Sequence, residues 1–150
     1  MNLMKIKRII IIALLFIWVG FIGAISFMEA WLKFTVVGVT KKIGLAIGST
    51  IFNALNKVEI IISIIILIVL FFREKSPVKI YLKKLIIPFT ILTYQSIYLL
   101  PRLDQRAQLV IAAMPVSNNY EHFIYIFLEI LKTIALIIIA IQILIKHEYK

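Results

Sequence analysis

The sequence has no cysteine, which removes disulfides, thiolate metal sites, cysteine nucleophiles and cysteine-linked lipid anchors together. Only two histidines occur, His122 and His147, and neither has a second histidine three or four residues away, so no helical imidazole pair exists to hold a metal. Glycine is too scarce, at five residues, to build a phosphate-cradling loop. Acids are scarce too: seven Asp and Glu stand against 17 Lys and Arg. No catalytic motif survives these absences, and neither a cofactor nor a metal is expected.

What the chain does have is apolar residues, 63% of 150. A soluble domain is nearer half apolar and interleaves its charges. Here the charges bunch between long apolar runs, as in membrane proteins. The length suits one helical domain over residues 1–150. A net charge of +10 raises the question of nucleic acid, but Lys5, Lys7, Arg8, Arg73, Lys75, Lys79, Lys83 and Lys84 all flank apolar runs. In those positions they anchor helices at a bilayer and leave no basic face for phosphates, so nucleic acid is not an expected partner. The run after Arg8 is longer than the core of a signal peptide and ends at no small-x-small site, so it reads as a retained helix.

A spanning helix needs about 20 apolar residues. Four segments meet this: 9–28, 47–72, 80–100 and 122–145. The expected fold is therefore all-α, an antiparallel bundle of four transmembrane helices. Pro88 should kink the third. Within "RLDQRAQLVIAAM", Leu103, Ala107, Val110 and Met114 share a helical face, which predicts a short amphipathic interfacial helix before the fourth span. Pro115 ends it, and Asn118 with Glu121 has the spacing of a capping box that starts the fourth span. Ten Lys and Arg fall on the side of the termini and five on the other, which predicts both termini in the cytoplasm of a bacterial inner (plasma) membrane.

The fourth span is not uniformly apolar. His122, Tyr125, Glu129 and Lys132 form one polar stripe, with the two charges roughly 10–15 Å in from the outer end at 1.5 Å per residue. Ions at that depth must face protein or water, since even the mildest scale puts their cost at about 3 kcal/mol. Glu129 and Lys132, three residues apart, can neutralise each other. On the second span Ser49, Asn53, Asn56 and Ser63 share a face bordered by Glu59. On the third, Tyr94 and Gln95 lie in the outer half, followed by Arg102 and Asp104. The expectation is an outward-facing polar pocket over an apolar floor, lined by Asn53, Asn56, Glu59, Tyr94, Gln95, Arg102, Asp104, His122, Tyr125, Glu129 and Lys132. Near-balanced acids and bases suit internal ion pairs or a zwitterionic or weakly charged solute. The competing reading is structural: buried polar pairs that only hold helices together. Glu29 and Lys33 read as an i,i+4 interface pair, and Trp18 and Trp31 as packing and belt residues.

Three stretches, "IFNALNKVE" (51–59), "LLPRLDQRA" (99–107) and "YEHFIYIFLEILK" (120–132), resemble segments of a family of small bacterial four-helix integral membrane proteins. The resemblance is carried by Asn53, Asn56, Glu59, Pro101, Asp104, Arg106, His122, Glu129 and Lys132, and it implies no particular activity. A more distant similarity is to copper-resistance and haem-associated four-helix membrane proteins, which use a first-helix histidine that this chain lacks. The function expected is a membrane protein whose pocket binds or passes a small solute or engages a membrane partner, including another copy of the chain. The alternative is a membrane redox or haem-associated enzyme using His122.

Overall fold

The computed structural model describes residues 3–71, 79–116 and 120–145, and these are helical throughout apart from short turns, with no strand among them. Helix α1 (Leu3–Ile22) runs into a π-helical segment, Gly23–Glu29, then the short α2 (Ala30–Leu32) and a 3-10 turn. The α3 helix (Lys41–Phe71) follows. A third run comprises α4 (Lys79–Tyr94), a second π-helical segment (Gln95–Leu99) and α5 (Leu100–Ile111). The last helix is α6 (Tyr120–Ile145). Three helices, Lys5–Thr35, Lys41–Phe71 and Tyr120–Ile145, are long and apolar enough to cross a membrane.

Local chemistry sets the turns. Between α2 and α3 the Val39 N–H donates to Val36 O at 3.1 Å, and the third position of this turn is Gly38 at φ +88°. That conformation belongs to a type II turn and favours glycine. Thr40 then caps α3, its Oγ1 accepting from the Ile43 N–H at 3.3 Å. At the end of α5, Met114 N–H donates to Leu109 O at 2.9 Å and Ala113 N–H to Val110 O at 3.1 Å, the Schellman pattern. Ala113 takes the left-handed position at φ 58° that glycine usually fills. The helix therefore stops at Ile111, earlier than the apolar periodicity predicts, and Met114 lies beyond it rather than on its face. Asn118, expected to start the fourth span, and His147 lie outside the described residues.

The π-helical segments were not legible in the sequence. The second lies just before Pro101, whose ring cannot accommodate a normal α-helical carbonyl at position 97. Pro88, by contrast, sits buried inside α4.

The α6 helix packs between α1 and α4, α3 packs against α1 and α4, and α5 lies along α3. One end of the bundle is filled by apolar side chains at helical spacing: Ile11, Leu15, Trp18 and Ile22 from α1; Ile62, Ile66 and Leu70 from α3. Leu85 and Leu92 of α4 join them, with Leu136, Ile139, Ala140 and Ile143 of α6. The opposite faces expose Phe16, Ile17, Ile61, Ile64, Ile86, Ile134 and Ile138, an apolar circumference suited to lipid. The other end of the bundle is polar inside.

Candidate functional site

Lys132, 0% exposed, lies at the boundary between the two ends. Its Nζ is 2.6 Å from Glu59 Oε1 on α3 and 2.9 Å from Glu129 Oε2 one turn back on α6. It also donates to Gln95 Oε1 at 2.7 Å. An ammonium has three donors, and three acceptors meet this one. The acceptors are held in turn. Trp18 Nε1 donates to Glu59 Oε1 at 2.7 Å. Gln95 Nε2 donates to Glu129 Oε2 at 2.7 Å, and Ser26 Oγ to Glu129 Oε1 at 2.8 Å. Ser26 and Gln95 both sit in the π-helical segments, where the altered turn changes the direction of side chains. The three other helical runs thus converge on α6 at one point.

A ladder of smaller contacts continues along α3. Asn56 Nδ2 donates to Ser96 Oγ at 2.7 Å, and Ser96 Oγ donates to Leu92 O. One turn further, Asn53 Nδ2 and Ser49 Oγ donate to the two oxygens of Asp104, at 2.7 and 2.6 Å. Residues 49 and 53 lie on one face of α3, so a single carboxylate from α5 spans them. Beyond that, Lys33 pairs with Glu29 at 3.1 Å, and its Nζ lies 5.5 and 5.6 Å from the ring centres of Phe34 and Phe52. The α2 region can approach because α3 presents Gly44 and Gly48 there. A Cβ on Gly44 would fall 2.1 Å from the Phe34 ring, and one on Gly48 would fall 2.9 Å from Lys33 Nζ.

These elements enclose a cavity of about 380 Å³. Phe27, Phe34, Phe52, Leu45, Leu100, Leu103, Ala107, Val110 and Ile126 supply its apolar walls. Lys33, Lys41, Ser49, Asp104, Arg106 and His122 supply polar groups. Glu129, Ser26 and Tyr125 also line it, so the cavity touches the Lys132 network directly. The exposed side chains Phe27, Phe34, Lys41, His122 and Ile126 mark its mouth.

Of the residues singled out in the sequence, Asp104, His122, Tyr125 and Glu129 line the cavity. Asn53, Asn56, Glu59, Gln95 and Lys132 stand behind it, in the networks that hold its walls. Tyr94 and Arg102 are not brought to it. Tyr94 is exposed and stacks on Tyr98, with ring centres 5.3 Å apart. Arg102 lies over the Tyr98 ring at 4.2 Å and 3.8 Å from Glu121. Trp18, Ser26 and Ser49 take part without having been marked as site residues. Trp18 did carry a signal, since an indole N–H on a helix buried in apolar surroundings needs an acceptor. Ser26 carried none. Among the described residues no group of three or more His, Cys, Asp or Glu side chains is placed to hold a metal. Comparison with family models, curated proteins and solved structures gave no match to this chain.

Proposed function

We propose that the protein is a four-span membrane protein with cytoplasmic termini, and that its cavity, opening on the opposite side, binds a small solute of mixed polarity. The run from α4 through α5 supplies the third crossing and brings Asp104 to the cavity wall. The excess of Lys and Arg at the termini and the second connection supports the orientation. The observation that carries the binding reading is the cavity itself: about 380 Å³, walled by aromatic and aliphatic side chains, with a few polar groups aimed into it. That composition is what small-molecule sites share. With cations and carboxylates both present, the solute best matched is zwitterionic or weakly charged, with an apolar part against Phe52 and Leu103.

Native mass spectrometry of protein extracted from its own membrane in mild detergent tests this. A retained small-molecule adduct is expected, and Ala107→Trp, which fills the cavity from α5, should abolish it. No adduct on the wild type, or an adduct unaffected by Ala107→Trp, overturns the reading. Alkaline phosphatase fused to the C-terminus should be inactive; an active fusion reverses the orientation.

A further inference from the structure

The Lys132 network contains two carboxylates and one ammonium. Glu59, Glu129 and Lys132 are each 1% exposed or less. Lys132 is the cation both carboxylates meet, and it meets both through charge-assisted contacts of 2.9 Å or less. With both acids ionised, the centre would carry a net charge of −1 in the interior of an apolar bundle. Like charges this close in low dielectric do not both remain ionised when a proton can neutralise one.

The hydrogen bonds say where that proton goes. Glu129 accepts at both oxygens, from Ser26 at Oε1 and from Gln95 and Lys132 at Oε2. Glu59 accepts from Trp18 and Lys132 at Oε1 only, while its Oε2 is buried and meets no hydrogen-bonding group. An indole N–H can only donate, so Oε1 must stay an acceptor. We infer that the centre is a one-proton binding site, with the proton on Glu59 Oε2 and reaching it from the side of the cavity that Glu129 lines. On loading, a proton from cavity water adds to Oε2 and the centre goes from −1 to neutral; on unloading, it returns. The remaining groups around the centre are Ser26, Gln95 and Trp18, which do not titrate in this range, and Tyr125, one turn before Glu129 on α6. Toward the other end of the bundle Leu15, Ile62, Ile66, Leu136 and Ile139 are apolar, and Ser63, one turn from Glu59 on α3, is buried with its Oγ donating to Ile60 O.

Infrared difference spectroscopy of the whole protein in lipid tests it at neutral pH. The wild type should show a carboxylic-acid C=O band that shifts in D2O. Glu59→Gln, which keeps an acceptor at the Oε1 position, should lose the band, and Glu121→Gln should keep it. Should Glu59→Gln not fold, Trp18→Phe serves: it removes one donor to Oε1 and should move the same band to higher frequency. No acid band in the wild type overturns the proposal. So does a band that survives Glu59→Gln, or one that does not respond to Trp18→Phe. A band insensitive to D2O overturns the access through the cavity.

Discussion

The two ends of the bundle are built on different principles. In the apolar end, Leu15, Ile66, Leu136 and Ile143 are fully buried and interchangeable in kind: each contributes packing, and none depends on one particular partner. In the polar end, each buried group depends on named partners. Glu129 without Lys132, or Lys132 without an ionised acid, is a charge stranded in low dielectric. The apolar end should absorb volume changes gradually, whereas the polar end should fail at single atoms and recover only when charges are removed together.

The largest expected effect comes from cutting the polar end at its centre. Lys132→Met leaves the two acids with no cation, and breaking such a buried pair costs about 3–5 kcal/mol. Adding Glu59→Gln and Glu129→Gln to Lys132→Met removes the stranded charge and should restore most of the loss. Thermal unfolding of the single and triple variants in mild detergent measures both. An unchanged midpoint for Lys132→Met would show that water already solvates this centre and would erase the contrast between the two ends.

A smaller loss is expected in the apolar end. Leu136→Ala, at a fully buried position, should cost about 2 kcal/mol, near the lower limit for cavity-forming changes, because detergent offers an apolar alternative to the core. Ile138→Ala, 48% exposed on the lipid side of the same helix, should change stability by less than about 0.5 kcal/mol. Equal losses at the two positions would mean that α6 is rotated relative to its neighbours. A small gain, in place of a loss, is expected at the end of α5. Ala113→Gly removes the strain of a left-handed alanine and should raise stability by about 1 kcal/mol or less. The same unfolding measurement reads it, and a loss of stability would mean that Ala113 does not occupy that conformation.

The helices were largely legible in the sequence, because run length and period are local quantities. Three of them emerge as helices long and apolar enough to cross a membrane, and of the polar stripe on α6 Tyr125, Glu129 and Lys132 are buried while His122 is exposed. The α5 boundary was less legible: apolar periodicity runs on to Met114, but the backbone closes at Ala113. Tyr94 and Arg102 share the depth of the site residues yet lie on outward faces, since composition reports depth better than rotation.

The sequence by itself determined that this chain is helical and apolar enough for a membrane, and that ions in its last helix had to be satisfied by neighbours. A charge cannot sit in hydrocarbon unaided, and that holds in any fold. Only the tertiary structure decided which neighbours those are. Glu129 is visible one turn from Lys132 in the sequence, but Glu59, Gln95, Trp18 and Ser26 come from distant segments. Their arrival depends on the rotation and axial register of four packed helical runs, and on two π-helical turns that re-aim Ser26 and Gln95. Those quantities are set by the fit of whole surfaces, which no local pattern of residues encodes.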